Sequence, residues 1–128
     1  MSNKFAEVAK NITSSSFIMD GRKKLKNEQI IAAYPKGFTI VAAELRTVKD
    51  KKTGDLDEMP VYLIAEDDAV YGTGGVALKN IFSEWVKPYD GDFEKMSAEL
   101  KAAGGVKIRL NKTVTNDGKP YFAVVVID

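Results

Sequence analysis

Alternation between Gly104 and Asp128 constrains this chain more than any other feature. Val106, Ile108 and Leu110 interleave with Lys107, Arg109 and Asn111, the period of a strand with one apolar and one polar face. Asn116-Asp117-Gly118 supplies residues that tolerate positive φ in a tight turn. Pro120 opens the returning segment 121–127, at a place where a missing N–H does least harm. The pattern predicts a closing β-hairpin. Its outward row of Lys107 and Arg109 suits either a solvated face or a polyanion lying across the sheet.

The rest of the chain reads as strands, then helices. Residues 38–46 and 60–65 are strand-like, joined through the charged loop 50–58, and Val70-Tyr71 suggests a short third strand. Upstream, 17–19 suggests another short strand, followed by the Asp20-Gly21 turn, and Asn27 is placed to cap a brief helical turn ending before Tyr34-Pro35. Leu78, Ile81, Phe82 and Trp85 fall at i, i+3, i+4 and i+7, one helical stripe. Lys87-Pro88 breaks it, and Asp90-Gly91-Asp92 offers a new N-cap for a second stripe of Phe93, Met96, Leu100 and Ala103. Three strands, a helical insert and two strands describe a mainly β fold of order β-β-β-α-β-β. That is the order of an OB-fold-like five-stranded barrel, which a generic α+β roll would share. Residues 1–16 read as a flexible arm and 17–128 as a single domain.

The chain contains neither cysteine nor histidine. Disulfides, thiolate chemistry, cysteine-ligated metals and the usual general base are excluded together. We therefore expect a protein without catalysis, cofactor or metal. No segment reads as a transmembrane helix or a signal peptide, so a cytoplasmic location is expected. Gly72-Thr73-Gly74-Gly75 lacks the lysine and spacing of a phosphate-binding loop and reads as a tight strand-to-helix turn.

A net charge of +1 conceals a partition along the chain. Bases dominate 22–52 and 101–119, whereas acids dominate 66–99. If the two basic stretches meet in space, they form a positive surface with an acidic back. Candidate phosphate contacts are Arg22, Lys23, Lys24 and Lys26 in one cluster and Arg46, Lys49, Lys51 and Lys52 around the charged loop. Lys107, Arg109, Lys112 and Lys119 on the closing hairpin complete the set. Tyr62, Tyr71 and Tyr121 are the candidate stacking rings. Tyr62 has the opposite parity from Val61, Leu63 and Ala65, so its ring leaves the core if theirs is the buried face. For Tyr121 both faces of 121–127 are equally apolar, and its direction stays open. Trp85 belongs to the helical stripe and reads as core.

In order and texture, the segments Phe17-Ile-Met-Asp-Gly-Arg-Lys-Lys-Leu-Lys26 and Tyr34-Pro-Lys-Gly-Phe-Thr-Ile40 look familiar. With the helix from Gly74-Gly75 to Trp85 and the hairpin from Gly105 to Val126, the chain resembles small single-stranded DNA-binding proteins of tailed phages and prophages of Gram-positive bacteria. The resemblance spans roughly residues 17 to 128. It implies an OB-type fold that coats single-stranded DNA during replication or recombination in the host cytoplasm. Phage replication or recombination proteins, and further copies of the chain, are the protein partners it suggests. Housekeeping relatives end in an acidic, partner-binding tail, whereas here Asp128 follows the last strand, so recruitment through such a tail is not expected. OB proteins bind through strands two and three and the loops joining strands one–two and four–five, here 60–71, 48–59 and 114–119. A small phage structural or interaction module is the alternative.

Overall fold

The computed structural model describes residues 16–49 and 52–127. Its strands are Lys23–Lys26 (β1), Phe38–Lys49 (β2), Leu56–Ile64 (β3), Asp67–Thr73 (β4), Val106–Val114 (β5) and Pro120–Val126 (β6). Its helices are Asn27–Ala33 (α1), Val76–Val86 (α2) and Phe93–Ala102 (α3). The strands form one sheet in the order β1-β4-β3-β2-β5-β6, curled into a half barrel. Neighbours are antiparallel except β1 and β4, which run parallel.

Two expectations about the strands are corrected. Among the described residues there are six strands, not five, because the cationic cluster contributes β1. Its sequence Lys-Lys-Leu-Lys carries one apolar side chain, so no alternation announces it, and lysines suit an edge that must not pair with other chains. Residues 17–19 form a turn and no strand. The outermost strands, β1 and β6, do not pair with each other among the described residues, so the sheet stays open along a seam.

β2 is the spine. A β-bulge between Ile40 and Ala42 shifts its register on β3, from Ile40 opposite Ile64 to Ala42 opposite Leu63. Phe38 and Ile40 therefore share the helix-side face with Ala43, although their parities differ. Tyr62, Ile64, Leu78, Phe82, Met96, Ile108 and Leu110 complete that core. A smaller apolar cluster of Ile18, Ala42, Val61 and Tyr71 occupies the opposite face, roofed by residues 16–22.

That roof is pinned by polar contacts. Of the arm expected over 1–16, only Ser16 lies within the described residues, and it is buried. Its hydroxyl accepts the amides of Ile18 and Met19 at 3.0 and 3.2 Å and donates to Glu44. The Arg22 guanidinium donates to the carbonyls of Ile18 and Asp68 at 3.1 and 2.9 Å, tying the roof to β4.

The helical insert follows its stripes. Leu78 and Phe82 are buried, and Ile81 and Trp85 pack against them. The chain then turns through Lys87–Tyr89, and Asp92 caps α3 by accepting the Lys95 amide at 3.1 Å. α3 is clasped to β2 through Ser97, whose hydroxyl accepts from the Ala43 N–H and donates to the Ala43 carbonyl, both at 3.0 Å. β2 pairs with β5 only over Phe38–Ile40, so beyond the bulge this serine supplies the partners that a strand would have supplied.

Candidate nucleic-acid interface

Two of the three tyrosines singled out above are inside the fold. Tyr62 is fully buried, because both faces of β3 are covered: Val61 packs into the smaller cluster and Tyr62 into the larger. Its ring stacks on Phe38 with centroids 5.8 Å apart and lies over Gly72, where an added Cβ would fall 2.2 Å from the phenol Cζ. Burial pushes the Tyr62 phenol well above its ordinary pKa. Tyr71 is also buried, under the 16–22 roof. Neither ring is presented to a base in this conformation.

Asn27 does not cap α1 either, since Lys26 stands at the N-cap and the Gln29 side chain accepts its amide at 2.9 Å. The Asn27 side chain is buried instead. It accepts the Tyr62 hydroxyl and donates to the Gly74 carbonyl, both at 2.8 Å. Gly74 and Gly75 adopt φ of 103° and 99°, values that side chains resist, and lead directly into α2. The core tyrosine thus fixes the strand-to-helix turn through one amide.

That turn forms one wall of a groove at the open seam. Its cavity of about 320 Å³ is lined by Lys24 and Lys26 of β1, Asn27 and Glu28 of α1, Gly74 and Gly75, and Phe122 of β6. A second cavity of about 250 Å³ shares Gly74, Gly75 and Met59 with it and continues to Val48, Asp57 and Lys79. There Lys79 donates to Asp57 at 2.9 Å, and this bond, more than the charge itself, holds the Asp57 carboxyl below its usual range.

Phe122 carries no signal in sequence, because Phe122, Val124 and Val126 are as apolar as Tyr121, Ala123 and Val125. Register separates them. Phe122 pairs with Lys112 and Val124 with buried Leu110, which places Phe122 on the core-facing side of the hairpin. Tyr121 pairs with Thr113 and shares the other side with Lys107, Arg109 and Asn111. Both rings are half-buried.

The same register divides the hairpin's cations. Lys107 and Arg109 are exposed on the side of Tyr121, without a charged partner among the described residues. Lys112 lies on the opposite side and reaches Glu28 of α1 at 3.2 Å. The row of Lys107 and Arg109 read from the sequence thus occupies one face, and Lys112 the other. Through the Lys112–Glu28 pair, the basic stretch 101–119 touches the basic stretch 22–52 at the edge of the groove. Glu84, Asp90, Asp92, Glu94 and Glu99 sit on α2, α3 and their connection, and none lines the groove.

The remaining candidates are dispersed. Arg22 is engaged by backbone carbonyls, whereas Lys23 is exposed beside Lys24. Arg46 is half-buried and meets Glu44 at 3.5 Å. Lys49 and Lys52 are exposed at the end of β2 and beyond it, and Lys119 is exposed in the last turn. Lys51 lies outside the described residues.

Among the described residues, no helix is long and apolar enough to cross a membrane. No protein-family model matches the chain, and no curated protein or solved structure matches it significantly.

Proposed function

We propose that this protein binds single-stranded DNA through its cationic seam and closing hairpin, without catalysis or cofactor. One observation carries the reading: an open groove sets two lysines of the first basic stretch beside a half-buried aromatic ring, and Lys112 of the second basic stretch reaches its edge through Glu28. Lysines there neutralise phosphates and release counterions, and an exposed ring accepts a base of any identity. Duplex DNA hides the base faces and gains only the first of these. Without β1, the strand order β4-β3-β2-β5-β6 is that of a five-stranded Greek-key barrel opened at one seam, which supports an OB-type reading. The resemblance to phage proteins points to strands exposed in phage replication or recombination, inside the host cytoplasm.

The test is a fluorescence titration with poly(dT), repeated against duplex of matched length across a range of salt. Tight, salt-sensitive binding of the single strand with much weaker duplex binding is expected. Equal affinities would overturn the reading.

A protein-interaction module is the second reading. It is favoured by an apolar cavity of about 430 Å³ between α2 and α3, lined by Trp85, Met96 and Leu100 among others. Salt separates the two, because an apolar interface does not weaken steeply with ionic strength.

A further inference from the structure

We propose that the seam groove is a nucleotide subsite, in which Phe122 stacks one base while Lys24 and Lys26 hold the adjoining phosphates. The inference rests on the single-stranded DNA reading above and assigns its stacking contact to a residue that no sequence pattern marks.

Four observations converge on it. Phe122 is the aromatic ring lining a groove that also contains lysines, and it remains half-buried although it has no polar atom to gain from water. Tyr62 and Tyr71, the more obvious candidates, are closed off. Lys24 and Lys26 stand two residues apart on β1, opposite Tyr71 and Thr73, so their side chains project to one side about 6.6 Å apart. Such a separation suits consecutive phosphates of an extended strand. Gly74 and Gly75 line the same groove, beside Met59 and Thr73, and carry no side chain to obstruct a ligand. A Cβ on Gly75 would approach the Asn27 amide to 3.0 Å.

The one acid in the groove, Glu28, is held by Lys112 at 3.2 Å. Its charge is offset by that partner, and Lys24 and Lys26 have no acidic partner among the described residues. At about 320 Å³ the cavity matches the lower end of small-ligand sites, room for a base but not for a folded oligonucleotide. The rest of the strand then lies outside, across exposed cations.

The experiment compares the parent protein with Phe122→Leu and Phe122→Tyr, using an oligo(dT) probe and an abasic deoxyribose-phosphate probe of equal length. Phe122→Leu keeps apolar volume but removes the stacking face. It should weaken oligo(dT) binding roughly 5- to 150-fold, the range for one stacked base, with an unchanged salt slope. Phe122→Tyr should bind as the parent does. On the abasic probe the penalty of Phe122→Leu should vanish. In parallel, ultraviolet crosslinking of the parent protein to oligo(dT), followed by peptide mapping, should place an adduct on Phe122. This arm decides the matter if Phe122→Leu fails to fold. A parent that binds oligo(dT) while folded Phe122→Leu binds equally well, or crosslinks confined to Tyr121, would overturn the subsite and leave the DNA-binding reading standing. A parent that does not bind oligo(dT) would overturn both.

Discussion

The Tyr62 hydroxyl donates to Asn27 Oδ1 at 2.8 Å, and the same amide donates to the Gly74 carbonyl. This links the middle of the core to the turn that walls the seam groove. Removing the hydroxyl with Tyr62→Phe leaves a buried acceptor without its donor. The expected loss is about 1–3 kcal/mol of stability, read from denaturant unfolding. Binding of oligo(dT) by the folded variant should change little, because the ring does not reach the surface. A large loss of affinity with unchanged stability would return Tyr62 to the interface.

The same burial makes stability depend on alkaline pH. A tyrosine ordinarily titrates near 10, and burial raises Tyr62 above that. Above about pH 10 the unfolded chain releases this proton while the folded protein retains it, so stability falls as pH rises. Below that pH the contribution is fully present. Tyr62→Phe should show a shallower alkaline decline than the parent in unfolding midpoints measured across this range. Identical declines would contradict the assignment.

Ser97→Ala tests the clasp between α3 and β2. The Ala43 N–H and carbonyl lose their partner together, and neither has β5 within pairing range. A destabilisation of about 1–3 kcal/mol is expected from equilibrium unfolding. Ser97→Thr, which retains the hydroxyl, should recover part of it unless the added methyl is crowded.

Glu28 is expected to restrain Lys112. Both side chains are largely exposed, so breaking their pair should alter stability by no more than about 1 kcal/mol. Glu28→Gln frees the lysine for a phosphate. Affinity for oligo(dT) should rise, and the slope of log affinity against log salt should steepen by about 0.7. An unchanged slope would show that Lys112 takes no part.

On the opposite side of the hairpin, Lys107→Ala with Arg109→Ala should flatten the same slope by about 1.4, two phosphate contacts. Tyr121→Ala should lower affinity by about 1–3 kcal/mol without altering the slope, since stacking releases few counterions. A double variant that kept the parent slope would make this row ordinary solvated surface.

What the sequence determined by itself was local. Alternation at 106–110, the Asn116-Asp117-Gly118 turn, the stripe from Leu78 to Trp85 and the Asp92 cap are written in neighbouring residues and form, the turn with positive φ at Gly118 alone. Tertiary structure decided what depends on partners distant in the chain. Tyr62 was legible as facing away from Val61, but only the packing of helices on one side and residues 16–22 on the other makes both faces interior. β1 exists because β4 offers it an edge, not because Lys-Lys-Leu-Lys favours a strand. Phe122 took its face from pairing register, which a tract as uniformly apolar as 121–127 does not encode, and only the packing of α1 gave Lys112 its partner Glu28. The groove is absent from the sequence for the same reason. It lies between two strand edges nearly a hundred residues apart, and only the curl of the sheet brings them opposite each other.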